Sequence, residues 1–338
     1  MPVAGVVLAA VDSGAANGSR PRLVVLRALG LGDLLTALPA LRALRDAFPA
    51  HRLTLAAPRS LAPLARLSGA VDEVVDTAPL APLDSALHDA EVAVNLHGRG
   101  PQSHGVLLAA RPRHLLAFEH VEVSESRGGP TWRGEEHEVV RWCRLLEESG
   151  IRTDPSRLDL TPPESGPSLR GATVVHPGAA SAARRWPPER FAAVARAERR
   201  AGRDVVVTGS SGEVELGRAV ARDAGLSSKA VLAGRTGLLE LAAVVAAADR
   251  VVCGDTGVAH LATAFGTPSV VLFGPTSPRE WGPPAERSRH RTLWTGRTGD
   301  PHAAETDPGL LEIAVADVLE ALRGLPGRGD AERHARAA

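Results

Sequence analysis

Short apolar segments alternate with longer helical patterns from Arg22 onward, and this alternation restricts the possible folds more than any other feature of the sequence. Aliphatic segments of four or five residues between polar turns predict buried strands, and the patterns between several of them predict helices. In the first half of the chain the predicted strands are Leu23–Leu26, Leu53–Ala56, Val71–Val75, Val92–Leu96 and Leu115–Phe118. Because such alternation is typical of parallel sheets covered by helices, we predict a parallel α/β unit here.

A second series of strands and helices follows residue 171. Its predicted strands are Thr173–Val175, Val205–Thr208, Val231–Leu232, Val251–Cys253 and Ser269–Phe273. Its predicted helices are Pro188–Ala201, Val214–Ala224, Leu238–Ala248, Val258–Phe265 and, as the last helix, about Leu310–Leu322. Gly202 and Gly266 stop two of these helices, since glycine is favoured just after a helix end. The second half is therefore predicted to be another α/β unit.

Residues 151–171 are rich in proline, serine and charge and show no periodicity, which predicts a linker. The predicted organisation is a flexible tail over 1–21, a domain over 22–150, this linker, a domain over 172–325 and a flexible tail over 326–338. No stretch reaches the ~18 apolar residues that a membrane span requires. Cys143 and Cys253 lie in apolar patterns that predict burial, which fits a reducing compartment, and we expect a cytoplasmic protein.

The composition excludes several chemistries. The 39 basic and 39 acidic residues balance, so no overall charge attracts nucleic acid, and any membrane association would be peripheral. Tyrosine is absent and the only lysine, Lys229, precedes an alanine, which excludes a Tyr-Lys dehydrogenase pair and a GxxxxGK[ST] phosphate loop. No HExxH, paired CxxC or DxD pattern occurs, so no metal cofactor is expected. A phosphate ligand would then be bound by backbone amides, helix termini and arginines.

The loop after the first predicted strand reads Arg27-Ala28-Leu29-Gly30-Leu31-Gly32-Asp33-Leu34-Leu35. It nearly matches the dinucleotide fingerprint GxGxxG, but Leu35 replaces the third glycine and the second strand ends without an acid to bind a ribose. An NAD(P)-dependent oxidoreductase is therefore only an alternative. Asp33 has two interpretations, an acid that stabilises a helix start or a carboxylate that acts as a general base at a domain cleft.

The second candidate loop is Gly254-Asp255-Thr256-Gly257, between a buried strand and an apolar helix. Its free amides would converge on one point, where the helix dipole favours an anion such as phosphate. His260, about one turn into the helix, is close enough to reach the same anion. The alternative is that Asp255 and Thr256 only cap the helix and that His260 is a core residue.

Two further loops follow strands of the second unit. In the loop from His176 to Pro188, small residues such as Gly178 and Ser181 leave the backbone accessible, and Arg184 or Arg185 offers a charge to a diphosphate. The alternative is a surface loop anchored by a tryptophan. The other loop, Gly209-Ser210-Ser211-Gly212-Glu213, places Glu213 at a helix start.

Together and in this order, these stretches resemble glycosyltransferase family 9, the bacterial heptosyltransferases that use ADP-heptose. The resemblance covers roughly Arg22 to Leu322 and is carried by Gly32-Asp33 with the helix Leu34–Phe48, by Arg184–Phe191, and above all by Gly254–Thr276. It implies a GT-B fold, in which two Rossmann-like, doubly wound parallel-sheet domains face a cleft. It places the acceptor in the N-terminal domain and the sugar nucleotide in the C-terminal domain, and it implies inverting, metal-independent transfer.

The resemblance also implies roles for individual residues. Asp33 matches the catalytic base, and Arg184 stands near the position of a phosphate-binding lysine. The implied donor-binding residues are Gly178, Ser181, Arg184, Glu213, Asp255, Thr256, Gly257 and His260. The implied acceptor-side loops contain Gly30, Gly32, His97 and Arg99. Their match to the family's basic acceptor-binding residues is weak, so a glycan, a lipid-linked molecule and a small molecule all stay open as acceptors. A non-catalytic GT-B-like protein that binds nucleotide sugars is the remaining alternative.

Overall fold

The computed structural model describes residues 20–164 and 169–326. The chain divides between Leu158 and Asp159 into two units, called unit 1 and unit 2 here. This division lies inside the segment 151–171 that the sequence predicts as a linker. The predicted tails, 1–21 and 326–338, lie outside the described residues except for residues 20, 21 and 326.

Unit 1 is built on a parallel sheet of five strands in the order β3-β2-β1-β4-β5. The strands are Arg22–Leu26 (β1), Arg52–Ala57 (β2), Glu73–Asp76 (β3), Val92–Asn95 (β4) and His114–Leu116 (β5). Strand β1 is central because it is apolar on both faces from Leu23 onward, and Leu23 pairs with both Leu53 and Val92. The helices are Leu31–Thr36 (α1), Leu38–Ala47 (α2), Ala62–Leu67 (α3), Gln102–Ala109 (α4) and Glu138–Glu148 (α5).

Unit 2 has a second parallel sheet, in the order β10-β9-β8-β6-β7. Its strands are Thr173–His176 (β6), Val205–Val207 (β7), Arg250–Gly254 (β8), Ser269–Leu272 (β9) and His290–Leu293 (β10). Its helices are Pro188–Arg200 (α6), Val214–Ala224 (α7), Leu238–Ala247 (α8), Gly257–Ala264 (α9), Pro278–Trp281 (α10), Pro308–Glu312 (α11) and Val315–Arg323 (α12). Trp186 and Phe191 are buried in its core and meet edge to face, with ring centroids 5.1 Å apart.

Each sheet has one position at which the order of strands reverses. In unit 1 this position lies between β1 and β4, and in unit 2 it lies between β6 and β8. At such a point the loops after the two strands lead away to opposite faces, and a crevice opens at the carboxyl ends of the strands. The loops that follow β1, β4, β6 and β8 carry most of the site residues predicted from the sequence.

Several predicted elements differ from the structure, and one strand was not predicted. The predicted helix Leu34–Phe48 is two helices, α1 and α2, because Pro39 in the first turn of α2 has no N–H to continue a longer helix. The predicted strand Val231–Leu232 is a single bridge from Val231 to β7. Strand β10 was not predicted, because its charged and exposed residues show none of the apolar pattern of the inner strands.

The predicted last helix, Leu310–Leu322, is also wrong as a single element. It is broken at Ile313 into α11 and α12. The Ile313 carbonyl accepts hydrogen bonds from Trp186 Nε1 at 3.1 Å and Arg190 Nη1 at 2.9 Å, so it is not part of a helix. A new helix then starts where the Asp317 carboxylate accepts the Ala314 N–H at 2.8 Å.

Within residues 20–164 and 169–326, no helix has both the length and the apolar character to cross a membrane.

Candidate active site

In unit 2 the loops after β6 and β8 touch each other through their backbones. A Cβ atom placed on Gly254 would lie 2.9 Å from the Arg184 carbonyl oxygen, so only glycine permits this approach. Strands β6 and β8 are paired up to His176 and Cys253, which brings the two loops together directly after the strands end. The structure therefore places the two loops that the sequence assigned to the donor side by side.

Arg184 and Arg185 differ sharply in how they are held. Arg185 donates two hydrogen bonds to the Ala179 carbonyl, at 2.9 and 2.8 Å, and so braces its own loop. Within the described part of the chain, the Arg184 guanidinium has only long contacts, 3.4 Å to the Asp255 carbonyl, 3.9 Å to the Asp255 carboxylate and 3.5 Å to Ser181 Oγ. Of the two arginines that the sequence left open, Arg184 is the one whose charge is available to an incoming anion.

Helix α9 begins at Thr256 without a side-chain cap. Thr256 occupies the capping position in an extended conformation, but its side chain makes no capping hydrogen bond. The interpretation that Thr256 caps this helix by its side chain is therefore wrong. The amides of the first turn, from Gly257 onward, lie at the positive end of the helix dipole, beside Arg184 and the Asp255 backbone.

Asp255 is a buried acid beside this helix start. Only 5% of it is exposed, and burial raises the pKa of its carboxyl to about 6, although the charge of Arg184 and a hydrogen bond with Thr276 oppose the shift. The residue at the capping position of α9 is Thr256 and not Asp255. Asp255 and Arg184 are therefore neighbouring groups of opposite charge in the unit 2 site.

The loop after β7 lies against the loop after β6. A Cβ atom on Gly178 would lie 2.1 Å from Glu213 Oε1, so the Glu213 carboxylate occupies the space beside Gly178. Glu213 also accepts hydrogen bonds from the Ser210 N–H and hydroxyl, both at 2.8 Å. Burial lowers the pKa of the adjacent His176 to about 4, with the charge of Glu213 opposing. Glu213 is thus held in place at the edge of the same crevice.

Two other predicted donor residues have partners within the protein. Ser181 donates its hydroxyl proton to the Pro301 carbonyl, and His260 packs edge to face on Trp281, with ring centroids 6.1 Å apart. Sequence reasoning missed the segment 299–307, which is hydrogen-bonded to the loop after β6. The Ala183 N–H donates to the Ala303 carbonyl, and the Thr306 hydroxyl donates to the Arg185 carbonyl. Its contacts are mainly to backbone carbonyls, which no residue pattern reveals.

In unit 1, Asp33 lies in the first turn of α1, directly after the loop that follows β1. Its Oδ2 accepts the Gly30 N–H at 3.0 Å, and its Oδ1 lies 3.5 Å from Arg27 Nη2. About a quarter of the side chain is exposed. Asp33 thus stabilises the start of its helix, and its carboxylate still faces solvent next to Gly32, which is partly exposed.

The loop after β4 comes close to the same carboxylate. Burial lowers the pKa of His97, the charge of Arg27 lowers it further, and the charge of Asp33 acts in the opposite direction. The His97 backbone N–H bonds to the buried Asn95 side chain at 2.9 Å, which fixes the loop. Arg99 follows on the same loop with an exposed side chain. Arg27 links this loop to the first turn of α1, because it donates to both the Leu96 and the Asp33 carbonyls, and Arg99 is exposed further along the same loop.

A family model for glycosyltransferase family 9 (heptosyltransferase) matches residues 129–306, more than half of the chain. The chain belongs to glycosyltransferase family 9. The lipopolysaccharide heptosyltransferase 2 of Salmonella typhimurium is 34% identical over 150 residues, which are 42% of this chain and 43% of that protein. The aligned part thus spans less than half of this curated relative.

The fold comparison extends over nearly the whole chain. The Escherichia coli ADP-heptose lipopolysaccharide heptosyltransferase II structure has a TM-score of 0.70 at 23% identity, covering 89% of this chain and 97% of that chain. A family 9 glycosyltransferase structure from Veillonella parvula has a TM-score of 0.73 at 22% identity, covering 92% and 98%. The predicted fold class, GT-B with two Rossmann-like parallel-sheet domains, is confirmed.

This family 9 member has two free cysteines, Cys143 and Cys253, and both are buried as predicted. Burial raises the pKa of the Cys143 thiol to about 12, so it is not a reactive thiolate. Among the residues that the structure describes, no cluster of three or more histidines, cysteines or acids is arranged to bind a metal ion.

Asp255 gives unit 2 a testable dependence of stability on pH. Because its folded-state pKa of about 6 lies above the ordinary value of 3.8, the group favours folding below about pH 4. This contribution is lost as the pH rises through 6, and a shift of about two pKa units corresponds to up to about 3 kcal/mol. We expect Asp255→Asn to gain thermal stability relative to wild type between pH 4 and 7, as measured by calorimetry. A stability difference that stays constant with pH would contradict the assignment.

Proposed function

We propose that this family 9 protein transfers a heptose from ADP-heptose to a hydroxyl group of a cell-envelope glycan. The single observation that carries the proposal is the Arg184 guanidinium, loosely held beside the uncapped start of α9 at the reversal point of unit 2. A positive helix end and a cation with only long contacts to its protein partners form a site for a diphosphate. The names of the curated relative and of the E. coli structure support heptose as the sugar, ADP as the nucleotide and lipopolysaccharide as the acceptor class.

The donor contacts follow from this placement. The diphosphate would bind to the first-turn amides at Thr256 and Gly257, with Arg184 on its other side. Asp255 and His260 would support the sugar end, and Glu213 beside Gly178 would accept hydrogen bonds from the ribose. Ser181 would act indirectly, because its hydroxyl holds the segment 299–307 against the Arg184 loop.

Asp33 would be the general base. Its carboxylate would accept the proton of the acceptor hydroxyl while that oxygen attacks the anomeric carbon on the face opposite the diphosphate. One such displacement inverts the anomeric centre. Negative charge that develops on the leaving diphosphate would be stabilised by the α9 dipole and Arg184, which are already oriented before the reaction. The proposal requires a donor bound to unit 2 to reach Asp33 during the reaction.

The acceptor side would be formed by the two loops of unit 1. Gly30 and Gly32 leave the backbone around Asp33 accessible, and His97 lies close to the same carboxylate. With its lowered pKa, His97 is a neutral imidazole at neutral pH, which can donate or accept a hydrogen bond to a sugar hydroxyl. Arg99 would meet an anionic group of the acceptor.

Family membership favours the transferase over a nicotinamide-dependent oxidoreductase.

We also propose that the reaction takes place in the cytoplasm, which the two buried free cysteines support. No nucleic-acid partner is proposed, because basic and acidic residues balance. Any contact with membrane-bound acceptor would be peripheral.

Asp33→Asn tests the base. The amide oxygen can still accept the Gly30 N–H, so the helix start is retained while the proton acceptor is lost. We expect kcat to fall about 10²- to 10⁴-fold with the Kd for ADP nearly unchanged. The rate is measured as ADP release from ADP-heptose, with lipopolysaccharide from a heptosyltransferase-2-deficient strain as acceptor and with water alone. Asp317→Asn is the matched control, because Asp317 accepts the Ala314 N–H in the same way at the start of α12. A rate for Asp33→Asn within threefold of wild type would leave Asp33 with a capping role only, whereas no turnover by the wild type itself would favour a non-catalytic protein.

Arg184→Ala tests the diphosphate site. The loss of a charge-assisted contact of about 1.5–3 kcal/mol predicts a 10- to 150-fold weaker affinity for ADP by calorimetric titration. Arg184→Lys should retain much of the affinity. Arg218→Ala, which removes an exposed arginine paired only with Glu215 on α7, is the control. Arg185 is unsuitable for this purpose because it braces the loop itself. Equal affinities of wild type and Arg184→Ala would place the donor elsewhere.

The absence of a DxD pair in the sequence predicts transfer without a divalent cation. We expect the rate of ADP release to be unchanged after treatment with EDTA and after addition of Mg²⁺ or Mn²⁺. A rate abolished by EDTA and restored by either ion would show that the diphosphate needs a metal.

A further inference from the structure

A fully buried arginine lies behind Asp33. Arg27 directly follows β1, only 1% of it is exposed, and its guanidinium lies 4.8 Å from the centre of the Trp142 ring. Its Nε donates to the Asp33 carbonyl at 3.0 Å, and its Nη1 donates to the Leu96 carbonyl. One side chain thus fixes the first turn of α1 to the end of β4, the two loops that approach each other in the unit 1 site.

The charge of Arg27 is shared unequally between two acids. Its Nη2 lies 2.9 Å from Glu138 Oε1 and 3.5 Å from Asp33 Oδ1. The better partner is also the more buried one, since 6% of the Glu138 side chain and 26% of the Asp33 side chain are exposed. The Glu138 contact has the length of a strong hydrogen bond and is shielded from water, whereas the Asp33 contact is longer and reaches a side chain that water partly screens. Asp33 is therefore close to a cation without forming a full ion pair.

Glu138 is held firmly in its place. Its Oε1 also accepts the Trp142 Nε1–H at 2.8 Å, and its Oε2 accepts from Arg141. Burial alone would raise the pKa of Glu138, but the charges of Arg27 and Arg141 outweigh that effect and lower it, so the group is ionised. The two arginines and the acids Glu138 and Asp33 balance in charge.

We propose that Arg27 is a positioning residue that holds Asp33 through its main chain, and that Glu138 keeps the Arg27 charge from pairing fully with the Asp33 carboxylate. The inference rests on the proposed role of Asp33 as the base and assigns a task to two residues outside the reacting atoms. A base that is fixed in place but not neutralised by a close cation is both oriented and ready to accept a proton.

Two variants test the role of Arg27 and the role of Glu138 separately, and a third variant is the control. Arg27→Lys keeps a positive charge near Glu138 but cannot reach the Asp33 and Leu96 carbonyls at once. Glu138→Gln keeps the shape and the acceptor for Trp142 but releases Arg27 to pair with Asp33. Arg144→Lys is the matched control, since Arg144 is also a buried arginine, pairs with Glu136 at 2.7 Å and stacks on Phe118 rather than on the Asp33 loop.

The first measurement is the rate of ADP release, in the wild-type and in the Asp33→Asn backgrounds. We expect Arg27→Lys to lower kcat about 10- to 100-fold, Glu138→Gln to lower it about tenfold, and the Kd for ADP to stay within twofold. In the Asp33→Asn background neither change should lower the rate further, because both act through Asp33. Losses that persist in that background, or an equal loss in Arg144→Lys, would overturn the proposal.

The second measurement needs no substrate. Hydrogen exchange followed by mass spectrometry should show a peptide around residues 29–37 exchanging about tenfold faster in Arg27→Lys, while peptides from β1 and β4 and those of Arg144→Lys stay protected. In Glu138→Gln this peptide should stay as protected as in wild type. Faster exchange throughout unit 1 would reduce Arg27 to a stabilising residue. If Asp33→Asn alone keeps its turnover, the proposed role of Asp33 as the base fails, and the exchange data still decide whether Arg27 holds the loop.

Discussion

The pairing of β6 with β8 is the constraint on which the unit 2 site depends. The two strands are adjacent although β7 lies between them in the chain, and their hydrogen-bonded register ends with His176 opposite Cys253. The loop with Arg184 and the start of α9 therefore leave the sheet at the same level, close enough for a backbone contact at Gly254. Without this pairing the arginine and the helix dipole would act at different places, and the proposed diphosphate site would be lost.

Much of the fold could be predicted because apolar residues recur at different intervals in buried strands and in amphipathic helices. Helix Val214–Ala224 was predicted with the bounds that it has, since it ends at a glycine that adopts a left-handed conformation. The break at Ile313 could not be predicted, because it depends on hydrogen bonds from Trp186 and Arg190, more than 120 residues away in the chain. Strand β10 could not be predicted, because an edge strand does not need a regular alternation of apolar and polar residues.

Only part of the candidate site could be predicted from the sequence. The order of strand, glycine-rich turn and helix pointed to the loops at Asp33 and Asp255, and the fold places both at reversal points. The choice between Arg184 and Arg185 needed the structure, since only the distances show that Arg185 is bound to Ala179. Arg27 was not singled out at all, because arginine is frequent in this chain and its burial depends on Glu138, 111 residues later.

The edge-to-face contact of His260 with Trp281 has a practical consequence for spectroscopy. The chain contains five tryptophans and no tyrosine, so its near-ultraviolet emission comes from indole rings alone. Trp186 is buried in the core, whereas Trp281 is partly exposed and touches a residue proposed to support the donor. Because the His260 imidazole lies against the Trp281 indole, a change in Trp281 emission would report whether a nucleotide sugar occupies the proposed donor site, without an added label.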